Sequence, residues 1–236
     1  MEPLITLVGC QLTVEQLQNI FRDVFECKSF QIFEVTPILT AKGHYWLFKR
    51  AGILHRDISI GNVMYRMKGG MVHGVLNDFD HACKVDDPGP TLNRRTGTVP
   101  YMAIDILLQD SSPTFRHLYR YDLESLYYVM IAVVCPDDPF VQVWNSEETM
   151  TSLGQAKGFQ IHQPAPKPAP DFDSFHNWFR GIRGVLSEGI RLQTLAKENG
   201  QAFDNTTLAR KVTYETFRQV LWGDSTLHEP ATNNSM

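Results

Sequence analysis

Three short segments hold residues whose types and spacing suit chemistry on a hydroxyl group. The first is His55-Arg56-Asp57-Ile58-Ser59-Ile60-Gly61-Asn62, with a carboxylate and a carboxamide on one turn. The second is Asn77-Asp78-Phe79-Asp80, directly after a run of strand-forming residues. The third is Gly97-Thr98-Val99-Pro100-Tyr101-Met102-Ala103-Ile104-Asp105. Asp57 is placed to orient an attacking hydroxyl and take its proton. Asn62, on the same turn but facing the other way, and Asp78, at the end of a hairpin, offer oxygen to a hard cation such as Mg²⁺. Transfer of a phosphoryl group asks for this kind of site, because it depends on positioning and charge compensation more than on covalent chemistry.

Taken singly, each part has a plainer reading. An aspartate after a strand is most often a turn residue. A lone His55 or Asn62 is commonly a satisfied polar group of a core or turn, and Gly97-Thr98 alone is a loop. The ordered combination carries the meaning: H-R-D with its asparagine, then D-F-x, then G-T-x-x-Y-M-A. That order matches the protein-kinase signature. The match implies ATP and Mg²⁺ as cofactors and a protein substrate. It gives Arg56 the anchoring of a phosphorylated activation segment, and His55 and Phe79 a scaffold role. Thr96, Gly97 and Thr98 fall in the activation segment, with Thr91 a further candidate for modification.

The closer wording resembles the fungal-type protein kinase family. It is carried by GILHRDIS with the trailing Asn62, VLNDFDHA from Val75 to Ala82, RTGTVPYMAIDIL from Arg95 to Leu107 and YDLESLYYV from Tyr121 to Val129. The resemblance is strong from Gly43 to Val134 and extends weakly to the last helix. It implies a protein serine/threonine kinase in which Asp57, Ser59 and Arg56 serve catalysis and Asn62 and Asp78 bind the metal and nucleotide. Asp122 then braces the catalytic loop, and Asp105 is the carboxylate that closes the activation segment. Ser59 stands where serine/threonine kinases carry a lysine near the γ-phosphate; a hydroxyl there can hydrogen-bond but cannot neutralise charge. Asp80 replaces the glycine of D-F-G, so a residue freely permitted positive φ is lost. Two other readings stand beside this one: a catalytically impaired pseudokinase or binding module, and a small-molecule phosphotransferase of the aminoglycoside or choline kinase type. The segment G-T-V-P-Y-M-A, a platform for peptide substrates, speaks against the last.

The elements that must position these residues are also written in the chain. Thr13 caps a helix with Gln16 as its reciprocal partner, and Leu17, Ile20, Phe21, Val24 and Phe25 recur at helical spacing. Lys28 to Thr40 interrupts that pattern; codons for Cys27-Lys28-Ser29 can spell a splice donor, so the segment reads as a retained intron. Helix returns from His44 to Lys49 and stops at Gly52. Strands are expected at Asn62 to Arg66 and Met71 to Leu76 around a Met67–Gly70 turn, and a loop from Asp78 to Thr98. A buried helix spans Tyr121 to Val134. Pro164 to Pro170 reads as a surface linker, followed by helices at about Phe172 to Leu186 and Tyr214 to Leu221.

The expected fold is mainly α with a small β-hairpin: a protein-kinase-like C-terminal lobe with the N-lobe largely absent. The expected division is 1–42 for an N-terminal helix and atypical insert, 43–224 for the catalytic lobe and 225–236 for a disordered tail. No glycine-rich loop and no V-A-I-K-like strand precedes Asp57. Lys42 and Lys49 are the nearest lysines and read as solvated. The chain has 236 residues, 43% of them hydrophobic and 20% charged, which argues against wholesale disorder. A net charge of −4 argues against a nucleic-acid partner. The scattered cysteines Cys10, Cys27, Cys83 and Cys135 suit a reducing compartment. Leu126 to Cys135 is too short to span a bilayer. An intracellular protein, cytoplasmic or nuclear and off the membrane, is expected.

Overall fold

The computed structural model describes residues 3–8, 11–26, 44–86, 96–109, 115–146 and 149–223. Helix α1 (Val14–Glu26) starts at the expected capping box: Gln16 N–H donates to Thr13 Oγ1 at 3.2 Å, and Gln16 Oε1 accepts from Thr13 N–H at 2.9 Å. Its periodic apolar residues Leu17, Ile20, Phe21, Val24 and Phe25 are all buried. They pack on a hairpin of β3 (Val63–Lys68) and β4 (Met71–Leu76), with β1 (Ile5–Thr6) as a third antiparallel strand beside β3. The hairpin runs two residues further than expected, to Lys68. Gly69 and Gly70, at φ +58° and +79°, make the turn alone, because two consecutive left-handed residues suit a tight two-residue loop.

Gly74 is where α1 and the hairpin meet backbone to backbone. Its N–H donates to Asp23 Oδ2 at 3.0 Å. A Cβ at this position would collide with the carbonyl oxygen of Ile20 and lie 2.9 Å from its carbonyl carbon. Only glycine lets the two chains approach this closely.

Helix α2 (His44–Ala51) ends at Gly52, φ +62°, whose N–H donates to Phe48 O at 2.9 Å. Phe25 of α1 and Tyr45 of α2 both stack on the ring of Tyr214 in α8 (Tyr214–Trp222), at 4.8 and 3.5 Å between ring centres. The stretch expected to be loop from Asp78 to Thr98 contains a strand, β5 (Cys83–Lys84), paired antiparallel with β2 (Ile53–Leu54). Two-residue strands show no periodicity, so pattern alone cannot reveal them.

The centre is α4 (Tyr119–Val134), buried on nearly every side, charged residues included. Against it pack α3 (Ile104–Leu108), α5 (Pro139–Ser146), α6 (Met150–Gln160) and α7 (Phe175–Glu198), all contributing to one apolar core. Helix α7 runs through Glu198, well past the expected end at Leu186, because its last turns are rich in helix formers such as Arg191, Leu192, Gln193, Leu195, Ala196 and Lys197. The proline segment is not a free linker: Pro166 and Pro168 are buried, and Ala169 N–H donates to Val134 O at 3.0 Å. Among the described residues no single helix is long and apolar enough to cross a membrane. Lys28–Thr40, Lys42, Thr91 and the 225–236 tail lie outside the described residues. The architecture is mostly helical with a small antiparallel sheet.

Gly74→Ala is expected to lower the unfolding free energy by about 1–3 kcal/mol, since the new methyl meets backbone that cannot rotate away. Urea midpoints at unchanged m-value would measure it.

Candidate active site

Asp122, in the first turn of α4, organises the loop that carries Asp57. Its side chain is 1% exposed and accepts four hydrogen bonds. Oδ2 takes His55 N–H and His44 Nε2, each at 2.9 Å; Oδ1 takes Arg56 N–H at 3.1 Å and His117 Nε2 at 2.9 Å. Burial alone pushes such a carboxyl up. Here the charge and hydrogen bond of His117, joined by those of His44, outweigh it and hold Asp122 well below the usual carboxylate range. Arg56 adopts φ +71°, and the carboxylate holds its amide together with that of His55 just before it.

His55 is held on both ring nitrogens. Its Nε2 lies 2.9 Å from the carbonyl of Asn77, which can only accept, so Nε2 carries the proton. Nδ1 then accepts from Asp57 N–H at 3.3 Å. Burial lowers the His55 pKa, against the opposing charge of Asp122, in keeping with this neutral tautomer. The ring stands edge to face with Phe79 at 4.6 Å. His55 thereby joins the Asp57 loop to the Asp78 turn.

Asp57 itself is fixed on both carboxylate oxygens. Oδ1 accepts from the N–H and the hydroxyl of Thr98, both at 2.8 Å, and Oδ2 accepts from Asn62 Nδ2 at 3.1 Å. Asn62 Nδ2 also donates to Asp57 O at 2.9 Å. Two acceptors on Nδ2 set the amide orientation and leave Oδ1 for another partner. Gly97, at φ +116°, lets the third segment reach this loop, for a Cβ there would lie 2.8 Å from Arg56 O. Sequence separation hid the Asp57–Thr98 contact, although both residues were singled out.

The remaining predicted residues divide. Asp78 is exposed at φ +58°, with Oδ1 accepting from Asp80 N–H at 3.2 Å. The left-handed conformation thus falls on Asp78 and not on Asp80, so the missing glycine of D-F-G costs this turn no strain. Ser59 is 4% exposed and lies beneath the loop, its carbonyl accepting from Asn62 and Val63 N–H at 3.0 Å. Arg56 is likewise buried, 4% exposed, and Thr96 is half-buried. Asp105 forms an ion pair with Arg120, whose Nε also donates to Asn205 O at 2.7 Å. Lys49 is exposed on α2. Sequence reasoning missed His44, His117 and Arg120; Arg120 lies just before the expected start of the central helix, which in the structure begins at Tyr119.

The oxygen donors of Asn62 and Asp78 fit Mg²⁺, which takes one or two protein ligands and completes its shell with water and phosphate. Among the described residues no group of three or more His, Cys, Asp or Glu could hold a metal ion on its own.

Asp122→Asn is expected to cost about 3–5 kcal/mol, because an amide sets an N–H₂ among four donors that need an acceptor. The folded-state pKa of Asp122 is depressed, so its contribution is fully present above the unfolded carboxyl value near about 4 and is lost as pH falls below it. Urea unfolding between neutral and acid pH should show that limb in the wild type and a flatter one in the variant.

Residues 39–134 match the family model described as fungal protein kinase. The serine/threonine-protein kinase PkaA of Streptomyces coelicolor is 26% identical over 166 residues, covering 64% of this chain and 29% of that protein. The chain therefore spans less than a third of the curated relative's length. The matched segment contains the whole of the Asp122 anchor, His44 to His117, and with it Asp57, Asn62 and Asp78. Over residues 39–134 the chain is therefore similar to the fungal protein kinases.

Proposed function

We propose that this chain is the helical lobe of a protein serine/threonine kinase, using ATP and Mg²⁺ to phosphorylate protein hydroxyls. We assign the catalytic lobe to residues 43–224, flanked by α1. The observation that carries the reading is the carboxylate of Asp57, held between Asn62 on one side and Thr98 on the other. A carboxylate locked on both oxygens keeps one direction toward an incoming hydroxyl. It spends little reorganisation in orienting that hydroxyl and accepting its proton.

The other side chains follow from this. Asn62, through Oδ1, and Asp78 would hold the cation, which supplies positive charge against the phosphate oxygens. His55 keeps Asp57 and the Asp78 turn in register through its two ring nitrogens. Thr98 bonds Asp57 from the acceptor side, so the segment that would meet the substrate chain and the residue that would activate its hydroxyl move together. Phosphorylation of the activation segment, with Arg56 as its anchor, belongs to this proposal.

Titration calorimetry of the chain with Mg·ATP should show binding that Asp78→Ala weakens by about tenfold or more. Asp57→Asn should leave that binding in place while lowering phosphotransfer to a serine- or threonine-containing protein by about 10²–10⁴-fold. Absent binding, or binding indifferent to Asp78→Ala, would remove the enzyme reading and leave the binding-module one.

A further inference from the structure

Away from Asp57, a lysine is buried in the core. Lys157 stands on α6, 1% exposed, and its ammonium donates to the carbonyls of Pro100 and Met102 at 2.7 and 2.8 Å. It also lies 3.6 Å from the centre of the Tyr128 ring and 5.2 Å from that of Trp144. The Tyr128 hydroxyl donates to Glu124 Oε1 at 2.8 Å, and the same oxygen accepts from Ile104 N–H at 2.8 Å. Trp144 donates through Nε1 to Gln160 at 3.0 Å, tying α5 to α6 beside the lysine. Three backbone groups of one short segment, at residues 100, 102 and 104, are thus claimed by a buried lysine and a buried glutamate joined through a tyrosine.

Such an arrangement is expensive to bury. Burial pushes the Lys157 amine well below its usual range, opposed by the charge of Glu124, and pushes the Glu124 carboxyl up. An apolar side chain of similar size would fill the space without that cost. What the lysine and glutamate add is conformation: the carbonyls of Pro100 and Met102, in and just after a single 3-10 turn (Val99–Tyr101), and the first amide of α3 are satisfied where the helices themselves leave them open. The same segment is fixed at its other end by Thr98 on Asp57.

We propose that Lys157 is a positioning residue which, with Tyr128 and Glu124, presets residues 98–104 as the platform for the acceptor peptide. The proposal rests on the protein-kinase reading above. The clamp reaches the acceptor segment and does not touch Asn62 or Asp78, so its influence falls on the peptide side of the reaction and spares the nucleotide side. α6 thereby takes part in acceptor selection without itself meeting the acceptor.

Amide hydrogen exchange on the full chain tests the clamp without requiring catalysis. The N–H groups of Thr98, Tyr101, Met102 and Ile104 are all hydrogen-bonded and report on the segment. Lys157→Met is expected to raise their exchange about tenfold while the β3–β4 hairpin stays protected. In peptide phosphorylation it should raise KM for the peptide about tenfold and leave KM for ATP unchanged. Unchanged exchange in a folded Lys157→Met chain, or equal losses on peptide and ATP, would overturn the proposal. If Lys157→Met does not fold, Tyr128→Phe, which removes one hydroxyl bond, should loosen the same four amides about two- to threefold, and unaltered exchange there counts against it equally. A wild-type chain that phosphorylates no peptide sinks the kinase reading, and the exchange measurement then decides the clamp by itself.

Discussion

The ionised carboxylate of Asp122 sits at the root of the site, out of reach of water and surrounded by four donors. An isolated carboxylate in that place would be prohibitively costly, and with its donors in place it becomes a fixed point instead. Two of the donors are consecutive backbone amides, His55 and Arg56, and the second belongs to the residue at which the chain makes a left-handed turn. The direction of Asp57 follows from that turn, and the positions of Asn62 and His55 follow from Asp57. His44 and His117 bring α2 and the lead-in to α4 to the same carboxylate. The loop that carries Asp57, a preceding helix and the central helix are therefore joined at one residue.

The alternation of charge along α4 extends this logic. Arg120, Asp122 and Glu124 are each two positions apart, so successive members point to opposite sides of the helix. Arg120 meets Asp105 and the loop at Asn205, Asp122 meets the loop that carries Asp57, and Glu124 meets Ile104. A single rigid apolar helix thus serves as common reference for the residue that would activate the hydroxyl and for the segment that would present it. Sites built on such elements hold their geometry better than sites carried by loops alone.

The parts of this site that were legible in the sequence are those where chemistry is local. Asp57 and Asn62 lie on one turn, Asp78 follows a strand, and Thr13 caps a helix through Gln16; spacing is enough for each. The Tyr121–Val134 helix was legible because an all-round apolar pattern has only one home, the core. The contacts that close the site were not legible, because they join residues far apart in the chain: Asp57 with Thr98, Asp122 with His44, and Lys157 with Pro100. A lone histidine such as His44 or His117 carries no signal of its partner. The short helices α3 and α5 went unread for a different reason: too few turns to show a period, and packing rather than propensity makes them helical. In α6 two glycines, Gly154 and Gly158, weaken the helical signal.

The stacking of Phe25 and Tyr45 on the one ring they share, that of Tyr214, has a consequence for how this chain can vary. Residue 25 ends one anchored stretch and residue 45 begins the next, and a single aromatic ring of α8 fixes both. Whatever length of chain joins them closes a loop whose ends are already set. The entropy of closing such a loop grows only with the logarithm of its length, about 0.6 kcal/mol for each doubling. Length polymorphism at this junction is accordingly cheap, whereas the same number of residues inserted between Asp57 and Asn62 would dismantle the site.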